Sequence, residues 1–341
     1  MFTDPAGLLS LPEGFSYSVV SEAGVTLLES GHRAPQDADG MASFVRRGGS
    51  GSVLVCNHEI GGSEPLKVPQ VAGLTYDAKA NGGTTTIEVD KNGKLVAQRV
   101  SIAGTHNNCA GGRTPWETWI TCEETEAILA GGKRHGYCFE VDPHDQAANQ
   151  DPQPIKALGR FAHESVAVDP FLGRIYMTED AGTPNGLFYR WTPPRTSDGS
   201  AAEHDGQVWF LDPRRDTIEL KLHIAYTPSD QDSDPDGPDN ITVSPYGGVI
   251  LAEDGEGLSH LVGATRSGAT YCFARNELND SEFAGPTFSR DRRTLFANVQ
   301  SPGYTFAIRG PFRQQFEAAY TTSPWRSVFS VTTRGSTKCS R

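Results

Sequence analysis

Between residues 107 and 124 the chain reads Asn107-Asn-Cys-Ala-Gly-Gly-Arg-Thr-Pro-Trp-Glu-Thr-Trp-Ile-Thr-Cys-Glu-Glu124. Cys109 sits among small residues, where the backbone can approach a ligand closely. A short aromatic stretch then delivers a carboxylate pair, Glu123 and Glu124. A thiolate suits iron or another transition metal, whereas carboxylates prefer hard cations, so one segment offers both kinds of ligand. Acidic turns recur at Asp39-Gly-Met, Asn57-His-Glu59, His163-Glu164, Thr178-Glu-Asp180, Asp239-Asn240 and Glu253-Asp254-Gly.

Three of these pairs, Glu123-Glu124, Glu179-Asp180 and Glu253-Asp254, share one form: an apolar run, two acids, then a loop. A single such turn reads as a solvated loop, and a lone cysteine as a small core residue. Repetition of the form changes the reading. Carboxylates brought together without a cation repel and raise one another's pKa, so convergent strand ends point to a bound metal. His58 and His163 stand beside Glu59 and Glu164; the glutamates are the expected ligands and the histidines their supports. The stretch Asp232-Ser-Asp-Pro-Asp-Gly-Pro-Asp239 resembles a calcium loop, yet Val243 occupies the place of the bidentate glutamate. No nucleophile elbow of the Gly-x-Ser-x-Gly type and no P-loop occurs.

The elements that must position these groups are strands. The 341 residues include 37 glycines and 22 prolines, which punctuate strands and turns and break helix interiors. Segments rich in Val, Ile, Thr and aromatics recur throughout, among them residues 52–56, 84–89, 118–121, 174–178, 248–252 and 294–298. Residues 73–77 have the same composition. A strand, tight turn, strand pattern repeats from Ser165, from Asn240 and from Pro286, as in the inner strands of propeller blades. Five or six such units fit the length. Residues 193–204 and 229–239 read as inserted loops, and residues 317–341 as a partly disordered tail with Cys339 an exposed thiol.

A net charge of −12, from 42 acidic and 30 basic residues, argues against a binder of nucleic-acid phosphates. No apolar run approaches the roughly 18–20 residues that span a bilayer, so neither a nucleic acid nor a membrane is an expected partner. The six cysteines form no Cys-x-x-Cys pair, which excludes a zinc ribbon.

The motifs together resemble the PhoX-type alkaline phosphatases. They include Gly7-Leu-Leu-Ser-Leu-Pro-Glu-Gly-Phe15, Asp39-Gly-Met, Asn57-His-Glu59, Asn108-Cys-Ala-Gly-Gly-Arg-Thr-Pro-Trp116, Thr118-Trp-Ile-Thr-Cys-Glu-Glu124, Tyr176-Met-Thr-Glu-Asp-Ala181, Glu253-Asp-Gly255 and Asn298-Val-Gln-Ser-Pro302. The resemblance covers residues 6–312 and implies an all-β, six-bladed β-propeller with inserted loops, one domain over residues 6–316. It further implies hydrolysis of phosphate monoesters, sometimes diesters, at two Fe3+ and two or more Ca2+ ions with a metal-held oxide or hydroxide as nucleophile. Cys109 is then the thiolate on iron, with Asp39, Glu59, Glu164 and Glu253 bridging or capping the metals. Asn108, Glu123, Glu179 and Asp254 are the implied calcium or supporting ligands, and Cys109, Glu164 and Glu253 the implied catalytic set.

Departures from the family pattern are Glu117 in place of glycine, and Arg290 and Arg292 in place of proline and glycine. The resemblance implies a monomer acting on a small phosphate ester, exported to the periplasm or secreted. A metal-bearing propeller that only binds a partner, or a hydrolase of another ester class, are the alternatives; the full ligand set favours the enzyme.

Overall fold

The computed structural model describes residues 1–3, 7–182, 185–193, 207–210, 235–266 and 268–313. Five antiparallel sheets surround one axis as blades of a propeller. Blade I comprises Ala38–Val45, Gly51–His58, Gly82–Asp90 and Leu95–Thr105, and blade II Asn108–Arg113, Trp119–Glu123 and Cys138–Val141. Blade III comprises His163–Val168, Ile175–Glu179, Phe188–Thr192 and Gln207–Phe210. Blade IV runs from Pro238–Val243 through Val249–Glu253 and His260–Ala264 to Thr270–Asn276, and its outer edge carries Leu9–Leu11 and Phe2–Thr3. Blade V is Phe283–Phe288, Thr294–Val299 and Tyr304–Arg309, closed by Ser16–Glu22 from the start of the chain. Pairing an early strand with the last blade ties the ring shut and covers an otherwise open edge.

The six-bladed expectation is therefore corrected to five blades among the described residues. The inserted loop expected at 193–204 lies outside the described residues but for Pro193, as do the tail and Cys339; of that expected at 229–239 only 235–239 are described, and there Pro238 and Asp239 open the inner strand of blade IV instead of ending a loop. Residues 73–77, expected as a strand, form a turn that touches the sheet through one bridge, Thr75 to Ala103.

Why strands of this composition stack as blades follows from their two-residue period. In Gly51–His58, Leu54 and Cys56 pack toward blade V with Met41, Ile87 and Phe296, while Val53 and Val55 pack toward blade II with Phe44, Trp119 and Phe139. Both faces of the strand are covered, so its apolar run is continuous rather than alternating. Blade II repeats this: Trp119 and Val141 face blade I, and Ile120, Cys122 and Cys138 face blade III with Val166, Met177 and Trp191. Phe273, Phe283, Leu295 and Phe306 fill the layer between blades IV and V.

The three repeated sequence segments are the inner hairpins of blades III, IV and V. Their turns are closed by side chains: Asp169 Oδ1 accepts from the N–H groups of Phe171 and Leu172, and Ser289 Oγ from those of Arg293 and Thr294. Such local bonds are why Asp and Ser favour turns.

Candidate metal centre

Each inner strand carries a β-bulge at the same height. The pairing register slips between Ala38 and Met41, Asn108 and Gly111, His163 and Val166, Pro238 and Asn240, and Ala284 and Thr287. A bulge re-aims a side chain out of the regular alternation. The residues inside these bulges include Asp39, Cys109, Glu164, Asp239 and Gly285. Four blades thus send a ligand-type side chain out of their innermost strand, and the fifth sends none.

A second set comes from the second strands, one residue past their ends. Glu59, Glu124, Asp180 and Asp254 follow Gly51–His58, Trp119–Glu123, Ile175–Glu179 and Val249–Glu253; in blade V the same place is held by Gln300. Glu282, just before the inner strand of blade V, adds another carboxylate.

Glycines allow the inner strands to approach one another closely enough for these groups to meet. A Cβ on Gly40 would lie 2.6 Å from the Ala110 Cα, and one on Gly285 2.3 Å from the Asp39 carbonyl oxygen. A side chain at either position would force two blades apart.

The result is a tight acid cluster with one thiol. One ligand atom each from Cys109, Glu124 and Glu164 lie within 4.8 Å of one another. Cys109 Sγ donates to Glu164 Oε1 at 3.4 Å. Asn107, in the left-handed region at φ 54°, donates from Nδ2 to Glu59 Oε1 at 3.0 Å and to the Glu124 carbonyl at 3.2 Å. Gln300 Nε2 holds the other Glu59 oxygen.

Burial and mutual repulsion both oppose ionisation here. Burial raises Asp39 well above the carboxylate range, and Glu59, Glu282 and Asp239 add to it. Burial, then Glu164 and Glu59, push Glu124 up to about 9. Glu282 rises to about 9, by burial and then Asp254 and Asp239. Glu164 rises to about 7, by burial and then Asp239. Asp239 presents surface to solvent at the mouth, yet the surrounding walls and then Asp254 raise its carboxyl to about 6. Burial likewise lifts the Cys109 thiol, reinforced by Asp39 and Glu164. Among the described residues no Lys or Arg is ion-paired with any of these acids.

That donor set fits cations. Asp39 Oδ1 is buried with no hydrogen-bond partner, a costly state for a carboxylate oxygen unless a cation takes it. The oxygens suit calcium and the thiolate suits iron.

Of the residues singled out by sequence, the structure brings Asp39, Glu59, Cys109, Glu164 and Asp254 to the cluster. It turns four others away, because they occupy the alternate face of their strand ends. Glu123 is fully buried and accepts from the N–H groups of His106, Gly136 and Tyr137 and from His135 Nδ1. Glu253 accepts from Asp236 N, His260 N and His260 Nδ1. Glu179 accepts from Leu187 N and the Tyr189 hydroxyl. Asn108 bonds Thr105 and Thr121 inside blade II. His58 is held by the Gln36 carbonyl and the Thr85 hydroxyl.

The acidic turns marked in the sequence contain Glu124, Asp180 and Asp239, but the implied ligand set omitted these three; Glu282, Asn107 and Gln300 were not proposed as site residues. The available signal was the second acid of each pair. Successive residues of a strand point to opposite faces, so the two acids of a pair cannot both reach one centre.

Below the acids the propeller axis continues as a channel of about 330 Å³, bordered by Ser43, Gly112, Arg113, Ser165, Thr242 and Thr287 among others. Two of the departures from the family pattern meet beside Arg113, which borders this channel: Arg290 lies 3.9 Å from Glu117, which also pairs with Arg113.

Comparison with known proteins gives one family. The family model described as alkaline phosphatase PhoX matches residues 1–99, 93–203 and 195–303. Among solved structures, the chain is similar to Pseudomonas fluorescens PhoX in complex with vanadate, a transition state analogue. The TM-score is 0.58 at 16% identity, over 89% of this chain and 96% of that one. The PQQ domain of pyranose dehydrogenase from Coprinopsis cinerea follows with a TM-score of 0.46 at 10% identity, over 89% of this chain and 98% of that one. No curated protein sequence matches.

Proposed function

This chain belongs to the alkaline phosphatase PhoX family of phosphoric ester hydrolases, and we propose that it hydrolyses phosphate monoesters, and diesters where the leaving group allows, at the acid cluster with iron and calcium bound there. The observation that carries this reading is the convergence of Asp39, Cys109, Glu164 and Asp239 from the inner-strand bulges with Glu59, Glu124, Asp180 and Asp254 from the second strands. So many acids gathered without a basic partner among the described residues suit a site for multivalent cations.

Cys109, Glu164 and Glu124 would hold iron, being the three whose ligand atoms already lie together. Asp39, Glu59, Asp180, Asp239, Asp254 and Glu282 would hold calcium. Bound there, the cations would neutralise the phosphoryl oxygens and promote attack by water, which is where a slow hydrolysis gains most.

The protein's own contribution is position. Asn107 and Gln300 fix both oxygens of Glu59, so this carboxylate presents a single orientation to the centre. Glu123 and Glu253 stiffen the two strand ends from which Glu124 and Asp254 project, by collecting backbone N–H groups. Glu253 thus has a supporting place in this proposal instead of the catalytic one expected from the sequence. Rigid placement of charge is what lets such a site stabilise a transition state without reorganising.

The substrate is a small phosphate ester taken at the open mouth beside Asp239 and Asp254, both of which present surface to solvent. We also propose that the protein is exported to the periplasm or beyond and is a monomer. Fractionation of the source cells and sedimentation test these two points.

The deciding experiment is elemental analysis of the purified chain with p-nitrophenyl phosphate and bis-p-nitrophenyl phosphate turnover at alkaline pH, with and without a calcium chelator. Iron and calcium together with chelator-sensitive release are expected. A chain that carries both metals and cleaves neither ester would overturn the reading.

A further inference from the structure

We propose that Cys122 and Cys138 are a disulfide-forming pair that staples the blade II hairpin behind the acid cluster when the chain folds in an oxidising compartment. The two residues are directly opposed in the antiparallel pairing of Trp119–Glu123 with Cys138–Val141. Their sulfurs lie 3.6 Å apart, and both side chains are fully buried.

The register favours a bond. The neighbouring pair exchanges a ladder hydrogen bond, Glu123 N to the Tyr137 carbonyl, while the Cys138 carbonyl is turned outward to Ile155 N. Cys122 and Cys138 are therefore a non-hydrogen-bonded pair, the class in which opposed Cα atoms approach to about 4.5 Å. That separation lies within the roughly 4.4–6.8 Å that a disulfide accepts. Closing the remaining gap needs side-chain rotation and no change of register.

While blades II and III are still apart, both thiols are open to solvent and react through the thiolate fraction of an ordinary cysteine. The other buried cysteines are engaged elsewhere: Cys56 accepts from Asn298, and Cys109 donates to Glu164.

The step is thiol–disulfide exchange with a small-molecule disulfide. The Cys138 thiolate attacks one of its sulfurs and expels the first small thiolate, leaving a mixed disulfide. The Cys122 sulfur then displaces the second small thiolate; its proton passes to one released thiolate, and the other takes up from solvent the proton that Cys138 had given up. One S–S bond forms in the protein, one is broken in the oxidant, and two small thiols leave. Because both sulfurs are buried under blade III, exchange takes place before blades II and III close on each other.

The staple closes residues 122–138, the loop that contains Glu124 and the Glu123–His135 contact. It also removes the two thiols that could otherwise exchange with Cys109. The thiol inventory reads the same whether or not metals bind, so its failure and a failure of the phosphatase reading are distinguishable.

The test is a thiol map of the full chain, produced once in an oxidising secretory compartment and once in a reducing cytosol, each alkylated in denaturant. A Cys122–Cys138 linked peptide, 2 Da below the sum of its reduced halves, is expected from the first and absent from the second. Thermal melts of the oxidised protein should fall by a few degrees on adding reductant, and a Cys138→Ser variant should not respond. Both thiols alkylated in protein from the oxidising compartment, or a linkage of either cysteine to Cys109, overturns the proposal.

Discussion

Gln300 Nε2 donates to Glu59 Oε2 at 2.5 Å, joining the ends of blades V and I. Gln300 occupies the place in its blade that Glu59, Glu124, Asp180 and Asp254 hold in theirs, and there an amide supplies a donor where another acid would add repulsion. Gln300→Glu should therefore destabilise the metal-free chain by about 1–3 kcal/mol and widen the stability gained on adding calcium. Paired thermal melts in chelator and in calcium measure this; equal melts of variant and parent in chelator would sink it.

Metal-free protein should lose stability as pH rises. Glu164, Glu124, Glu282 and Asp239 are raised to about 7, 9, 9 and 6, by burial first and then by their neighbours. A carboxyl raised on folding binds more protons folded than unfolded, so its stabilisation is complete below the unfolded value and is lost as pH climbs through the folded one. The loss should spread from about pH 5 to about pH 9 in urea titrations of chelator-treated protein. Saturating calcium should flatten the curve by favouring the ionised forms. A metal-free midpoint that does not fall over this window refutes the expectation.

Cys109→Ala should remove iron and phosphatase activity together, because Cys109 is the only thiol aimed at the described cluster and a thiolate there is the ligand that suits iron. Calcium binding, which rests on oxygens, should survive. Elemental analysis beside turnover reads both, and a variant that retains full activity without iron contradicts the assignment.

Glu253→Gln and Glu124→Gln should separate support from ligation. The Glu253 carboxylate is 3% exposed and takes three hydrogen bonds from Asp236 and His260. Its loss of charge should cost about 2–3 kcal/mol of stability with metal content kept. Glu124→Gln should instead lower metal content while leaving the metal-free chain at least as stable, since it relieves repulsion. The reverse pattern in denaturation and metal analysis would show that the two acids have been exchanged in role.

Glu117→Gly should stabilise the chain slightly. Glu117 adopts φ 71°, a region that costs an L-residue with a side chain about 1–2 kcal/mol. The ion pair with Arg113 that it would surrender is partly exposed and worth about 0.2–1 kcal/mol. A Tm higher by about 1–2 °C is expected, and a lower one would mean that the Arg113 and Arg290 contacts outweigh the backbone strain.

The sequence by itself determined the strand content, the inner hairpins begun at Ser165, Asn240 and Pro286, and the acid-rich, thiol-bearing character of the centre, because these rest on local preference and on residue type. Tertiary structure decided how many sheets the described chain forms and which acid of each pair reaches the cluster. Glu123 and Glu124 are adjacent in sequence, yet one accepts backbone N–H groups inside blade II and the other meets Cys109 and Glu164. The split follows from strand alternation combined with bulges whose registers exist only once two strands pair. Glu282 and Gln300 carried no matching local signature; their place was set when the ends of different blades closed around one axis.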